Sequence, residues 1–396
     1  MNARNRPLGE VFTAFLRLGV TSFGGPIAHI GYFRTEFVER RRWLSDSQFA
    51  ELLALCQFLP GPASSQLGFG IGLTQAGPVG ALLAFIAFTL PSALLLFAFA
   101  TWLPVAEGPV ADAALEGLKI VALAVVAHGL LGMIRSLTPD WQRAGIAVVV
   151  TVSMLVVPSA WFQLAAIAAG GAVGVVLLRG TPSIQAGRIE VGYGYRVGLT
   201  LLAAFAVLLS GLALLGLDGP PAVATADAFY RAGALVFGGG HVVLPLLEET
   251  VVAPGWIGPD EFLAGYGAAQ AVPGPMFTIA TYLGALLPES AGGVSGAAVA
   301  TLAIFLPGFL LLAGILPLWQ RLASRPGAAR AVAGVNAAVV GLLAAALYDP
   351  VFVSVAGDAS SLAIALVGFA MLWRWQVSAL LVVLWCVGAR VAVSLI

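Results

Sequence analysis

The chain is built of long apolar runs broken at recurring places. ALLAFIAFTLPSALLLFAFA (81–100) and VGLTLLAAFAVLLSGLALLGL (197–217) each reach the roughly 20 residues that carry a helix across a bilayer. Neither alternates polar and apolar residues, so a membrane β-barrel is excluded. Helical spans are predicted near 78–103, 114–136, 143–158 and 160–178. Others follow near 292–318, 329–347, 359–373 and 376–395, with one further span at about 196–217. Two apolar stretches cannot run as single helices. QFLPGPASSQ (57–66) carries Pro60, Gly61 and Pro62 in a row behind Gln57, and QAVPGPMFTI (270–279) repeats the pattern with Gln270, Pro273, Gly274 and Pro275. Each proline removes a backbone donor and pushes the residue before it out of the α region.

These breaks belong to an internal repeat. FLRLGVTSFGG (15–25) matches FYRAGALVFGG (229–239) at an offset of 214, and WLSDSQF (43–49) lies over WIGPDEF (256–262). The two Pro-Gly-Pro motifs follow at 213. FTLPSALLL (88–96) then meets IFLPGFLLL (304–312), and EGLKIVALAVV (116–126) meets AGVNAAVVGLL (333–343). Ordered matches with small gaps indicate two homologous halves.

Arginine changes sides between them. The loop at 31–46 holds Arg34, Arg40, Arg41 and Arg42, whereas 245–261 holds no Lys or Arg but has Glu248, Glu249, Asp260 and Glu261. Loop 104–118 is acidic, with Glu107, Asp112 and Glu116, and its counterpart carries Arg321, Arg325 and Arg330. Arg135 and Arg143 face Asp349 and Asp358 in the same way. Because cytoplasmic loops collect Lys and Arg, the halves are expected to sit upside down relative to each other. The N-terminus and loop 31–46 then share the cytoplasmic side, so segment 8–30 enters and leaves on one face, turning at Ser22-Phe23-Gly24-Gly25-Pro26. Segment 48–75 is expected to be two short helices meeting at Pro60-Gly61-Pro62. The fold class is an all-α polytopic membrane protein of two inverted halves with broken or re-entrant helices: 8–180, a connecting span at 196–217, and 222–396.

Composition agrees. Only 10% of residues are charged and 60% are hydrophobic, against about 25% charged in a soluble domain. Zero net charge gives no nucleic-acid partner. The opening MNARNRPLGE lacks an apolar core with a cleavage site, so no removable signal peptide is expected. Cys56 and Cys386, distant in sequence, read as small buried residues rather than a disulfide or metal site.

Irregular backbone at membrane depth survives only when buried in protein or lining a cavity. Paired broken helices in inverted repeats are a transporter pattern, with half-helix N-termini pointing N–H groups at an anionic substrate. The candidate binding residues are therefore Phe23, Gly24, Gly25, Pro26, Gln57, Pro60, Gly61 and Pro62, with Phe237, Gly238, Gly239, Gly240, Gln270, Pro273, Gly274 and Pro275 opposite. The run Gly68, Gly70, Gly72 is not clearly repeated and is assigned to packing. Arg17 and Arg231 match across the repeat, with anion contact and snorkelling to the headgroups as equal readings. Lys119 is the only lysine and aligns with Asn336; both donate hydrogen bonds. Arg390 has no counterpart and reads as structural. His29, His241 and Glu51 are the proton-coupling candidates, with a satisfied buried histidine as the plainer alternative and His128 as a weaker one.

F-G-G-P or F-G-G-G near the start of each half, followed by Q-x-x-P-G-P, resembles the chromate ion transporter (CHR) family over nearly the whole chain. The motifs are Phe23-Gly24-Gly25-Pro26, Gln57 to Pro62, Phe237 to Gly240 and Gln270 to Pro275. The resemblance implies a multi-pass bacterial inner-membrane protein that exports chromate, coupled to the membrane potential or proton gradient, with sulfate as competitor. Gly240-His241 stands where the first half has Pro26-Ile27, which departs from strict twofold equivalence. Chromate and sulfate are both tetrahedral dianions, and the residues do not discriminate them. Other readings are a sulfate or other oxyanion carrier, or an anion channel. An intramembrane enzyme is disfavoured, since neither H-E-x-x-H nor G-x-S-x-G occurs, and a scaffold leaves the repeated breaks unexplained. No cofactor is expected, and without G-x-x-x-x-G-K-[ST] any active transport draws on a gradient. The expected partners are the oxyanion and the bilayer, and a homodimer stays open.

Overall fold

The computed structural model describes residues 6–103, 108–157, 159–178, 189, 191–216, 220–237, 240–288, 291–319 and 326–395. Its elements are α-helices with short 3₁₀ and π-helical turns. In the first half these are α1 (Leu8–Thr21), α2 (Gly25–Arg34), α3 (Asp46–Phe58), α4 (Ala63–Trp102), α5 (Pro109–Leu137), α6 (Trp141–Val156) and α7 (Ala160–Leu177). A connecting α8 (Tyr195–Gly216) follows. The second half contains α9 (Pro221–Leu235), α10 (Val243–Leu247), α11 (Pro259–Ala271), α12 (Ile279–Leu286), α13 (Gly293–Ile315), α14 (Pro326–Ala346), α15 (Ala359–Trp373) and α16 (Ala379–Ser394). Among the described residues, five helices are long and apolar enough to cross a membrane by length and composition. This is an all-α polytopic membrane protein.

The repeat extends to local geometry. Both α2 and α10 run into π-helical turns, Thr35–Arg40 and Glu248–Val252. Each turn closes alike: Trp43 N–H donates to Phe37 O at 2.7 Å, and Trp256 N–H to Val251 O at 3.1 Å. The next helix starts on a cap in both halves. Ser45 and Gln48 form a reciprocal capping box, and Gly258 N–H donates to the Glu261 carboxylate at 3.2 Å.

The broken segments are re-entrant hairpins. Phe15 on α1 meets Phe33 and Phe37 after the break, with centroids 5.9 and 4.8 Å apart. A Cβ added at Gly70 on α4 would lie 3.0 Å from Leu52 on α3. Tyr282 on α12 donates to Glu261 O on α11 at 2.9 Å. Residues 18 or more apart along one continuous helix would be separated by about 27 Å, so these contacts require the chain to fold back. The 40-residue α4 itself consists of two antiparallel limbs. The backbone leaves helical values at Ala76 (−143°, 22°) and Gly77 (67°, −162°), and a Cβ at Gly72 would lie 2.5 Å from Gly80 O.

The long limb of α4 (78–102), about 37 Å at 1.5 Å per residue, orders the rest. Its start adjoins the outer ends of the first-half hairpins, where Arg6 donates to Gln75 and Gln75 to Trp43 O. Its middle adjoins the hairpin tips, with Phe88 against His29 and Ser92 beside Gly274. Its far end reaches the outer part of the second-half hairpins, Phe99 stacking on Tyr282. Helix α13 repeats this in the opposite sense: Gly296 beside Gly284, Ile304 and Gly308 beside the tip residues Gly233 and Gly61, and Leu312 beside Gly70. The two limbs meet through Phe85, Phe305 and Phe309. The final helices are exchanged between halves: α5 packs on α15 and α16, and α14 on α6 and α7.

The observed helices fall within a few residues of the predicted spans. Gly72 does have a partner, however. Its packing on Gly80 and Ala84 is repeated by Gly284 on Gly296 and Ala300, a correspondence hidden by the different residues around it.

Candidate functional site

Four hairpin tips converge at mid-height, and the two Pro-Gly-Pro tips are tied across the repeat. Gly61 N–H donates to Val236 O at 2.7 Å, and Gly274 N–H to Ser22 O at 2.9 Å. Ser22 and Val236 occupy equivalent positions, so the second-hairpin tip of each half bonds the first-hairpin tip of the other. Both glycines have positive φ, +124° and +94°, which a side chain rarely adopts. A Cβ at Gly61 would lie 3.0 Å from Gly308 Cα, and one at Gly274 lies 3.0 Å from Phe88 O. This corrects one expectation. The Gly61 and Gly274 N–H groups are not free for an anion, because they hold the halves together.

Other backbone donors lie one step further along. The first N–H groups of any helix lack intrahelical acceptors, and neither Gly24, which caps α2, nor Pro62, which caps α4, supplies a side-chain cap. The second-half tips instead continue as 3₁₀ turns, Gly240–Val242 and Met276–Thr278. Gly238 and Gly239 lie outside the described residues. Gln57 is exposed, whereas its counterpart Gln270 is 5% exposed and donates to Met276 Sδ at 3.0 Å. Pro60 and Phe237 are half-buried, and Pro62, Pro273 and Pro275 are buried. Phe23 and Gly25 flank an exposed Gly24.

The candidate cations do not join the tips. Lys119 pairs with Asp260 at 2.9 Å where α5 meets the outer end of α11. Arg231 pairs with Asp227 one turn away at 2.6 Å, and Arg17 is exposed on the outside of α1. Arg390 is held by Glu116 and Asp358, as its structural reading implied. It borders a cleft of about 180 Å³ with Lys119 and Ser361. Asp358 caps α15, and hydrogen bonds from Ser361 and Ser360 hold its carboxyl well below the usual carboxylate range. Asn336 stands on α14 with its Oδ1 buried and without a partner.

The histidines occupy different surroundings. His29 is fully buried, its Nε2 3.2 Å from Ser22 O and its ring edge-on to Phe88. His241 Nδ1 lies 2.9 Å from the Tyr266 hydroxyl, and its ring covers Gly129 on α5 beside His128. Glu51 is buried midway along α3, away from the tips.

Sequence reading missed the polar asymmetry of the centre. Ser22, His29, Ser65, Gln66 and Ser92 are 5% exposed or less. Opposite Ser22, His29, Gln66 and Ser92 the second half has Val236, Val243, Ile279 and Gly308, and only Thr278, opposite Ser65, keeps a hydroxyl. Gln66 ties the break to the other half by donating to Pro60 O at 2.9 Å and Gly308 O at 3.0 Å. The signal was present in the aligned halves, in the mismatches rather than the matches.

The chromate transporter family model matches residues 9–175 and 223–391. The chain belongs to the chromate transporter family. It is 31% identical to a probable chromate transport protein of Synechococcus elongatus, over 86% of this chain and 84% of that one. The chromate transport protein of Pseudomonas aeruginosa is 30% identical over 93% of this chain and 87% of its own. That of Cupriavidus metallidurans is 30% identical over 86% and 82%. No solved structure matches.

Proposed function

We propose that this member of the family is a secondary active transporter that carries chromate out of the cytoplasm across the bacterial inner membrane by alternating access. Family membership and the names of the relatives support the substrate, and sulfate, with the same charge and shape, is its expected competitor. The observation that carries the mechanism is unequal packing of equivalent hairpins. Gly267 on α11 rests against the backbone of Leu118 on α5, a Cβ there falling 2.1 Å from Leu118 O, and α11 is buried from Phe262 to Gln270. The counterparts Ala54 on α3 and Val335 on α14 are only half-buried, and α3 is exposed at Ala50 and Gln57. The acidic end is therefore sealed and the arginine-rich end open. By the distribution of arginine the open end is cytoplasmic, so chromate would enter from the cytoplasm. Exchange of the two packings would open the other face around a fixed centre.

At that centre the substrate would meet the N-termini of α2 and α4 and the polar residues beside them. Backbone donors suit a dianion that approaches them closely. Because charged neighbours are absent from the tips among the described residues, recognition would rest on hydrogen bonds, and the membrane potential acts on the moving charge itself.

Inside-out vesicles test this reading. Labelled chromate should accumulate when a proton gradient and potential are imposed, and excess sulfate should reduce it. Flux that follows only the chromate gradient and the potential, unchanged by a pH gradient at clamped potential, would point to a channel, and no flux would overturn transport.

A further inference from the structure

Resting on the site proposed above, we infer that His29 couples oxyanion binding to proton uptake, becoming a donor to the anion only when protonated. The starting point is the hydrogen bond at its Nε2. The acceptor, Ser22 O, is a carbonyl and cannot donate, so Nε2 carries the hydrogen. In a neutral ring Nδ1 is then a bare lone pair. That atom is buried and has no partner, as do the hydroxyls of Ser22 and Ser65. Buried polar atoms are nearly always partnered, so a group of them calls for a ligand or water.

The packing brings these atoms to one layer. A Cβ at Gly68 would touch Phe15 and Phe33. Ser65 lies one helical turn nearer the tip on the same face of α4, His29 one turn nearer on α2, and Ser22 at the end of α1. Phe88 closes the layer from the long limb, and Ser92 reaches it beside Gly274. The groups facing His29 are neutral: Ser22 from α1, Phe88 from α4 and, through the shared carbonyl, the Gly274 backbone. Among the described residues no charged side chain acts on it.

An oxyanion offers only acceptors. Hydroxyls rotate to donate to it, but a lone pair at Nδ1 repels it. Protonation turns Nδ1 into a donor and gives a charge-assisted bond. One proton is bound at Nδ1, none is transferred to substrate, and no bond is broken. The same event strengthens donation from Nε2 to Ser22 O, the carbonyl that also accepts Gly274 N–H from the other half. The counterpart Val243 cannot do this, so the coupling would be confined to one half.

The test is chromate binding to the purified full-length protein across about pH 6 to 9, with protons counted in weak buffer. Linkage predicts that Kd rises roughly tenfold per pH unit on the alkaline side of the His29 titration, with about one proton taken up per chromate beyond that carried by chromate itself. In H29Q the amide still donates to Ser22 O but cannot be protonated, so the extra slope and extra proton should vanish. S22A and S65A should weaken binding several-fold and keep the slope. The chromate contribution is common to all variants and cancels in the comparison. An H29Q slope equal to wild type overturns the inference. So does wild-type binding without the extra proton, which decides the matter even if H29Q does not fold. Absence of wild-type binding would overturn the transport reading beneath it.

Discussion

Helices α3 and α11 stand at the same place in the two halves, each capped at its outer end and broken at Pro-Gly-Pro. Yet α11 is buried from Phe262 to Gln270 and rests on α5 at Gly267, while α3 leaves Ala50 and Gln57 exposed and Ala54 half-covered. Both helices are short, but α11 carries Gly265, Gly267 and Ala268 where α3 has Leu52, Ala54 and Leu55, so its surface admits a closer neighbour. The difference lies in whether a neighbouring helix has closed on them. Two copies of one scaffold thus occupy two packings within one molecule, which is the arrangement that alternation between faces would exchange. The paired Pro-Gly-Pro glycines and their bonds across the repeat are the same in both halves, so the tips are alike in backbone while the packing around them differs.

The contrast can be broken most sharply by thiol labelling. Cys56 and Cys386 are fully buried, so new cysteines dominate the signal. A water-soluble maleimide added from the cytoplasmic side should label Q57C at least roughly 100-fold faster than Q270C, since only exposed thiolates react. Equal rates would mean that the two gates are in the same state. Next in size is G267L, whose side chain must displace the α5 backbone. It should lower stability by about 3 kcal/mol, read as a loss in thermal unfolding temperature. A54L should change stability by less than about 0.5 kcal/mol but stop transport by wedging the gate open. Stability loss in both would place α3 and α14 in contact after all.

Alanine at Gly61 or Gly274 forces a positive φ and costs about 1–2 kcal/mol. The two losses should agree closely if the reciprocal bonds are equivalent, and a large inequality would show that one tip dominates. The smallest effect is expected at Lys119 and Asp260. Asp260 is 77% exposed, so K119M or D260N should shift stability by less than about 1 kcal/mol. Their effects should not add if the pair helps hold the acidic end shut, and full additivity would remove it from the gate.

Much of this architecture was legible beforehand. Pro60-Gly61-Pro62 and Phe23-Gly24-Gly25 announced the breaks because proline and glycine act on the backbone locally. The arginine swap announced inversion because charge placement is a property of loops. The roles of Lys119 and Arg231 were not legible. Each is claimed by a carboxylate, Asp260 from the other half and Asp227 from the next turn, and which acid lies within reach depends on packing. The same holds for the Gly61 and Gly274 donors, whose acceptors are 175 and 252 residues away.

The sequence by itself determined where helices stop, how many halves there are and which way each faces, since backbone sterics, apolar length and loop charge act over a few residues. Tertiary structure decided what the breaks do. It joined Gly61 to Val236 and Gly274 to Ser22, set His29 against Ser22 O, and covered α11 while leaving α3 open. Hydrogen bonds and burial depend on partners far apart in the chain, and only the folded molecule brings those partners together.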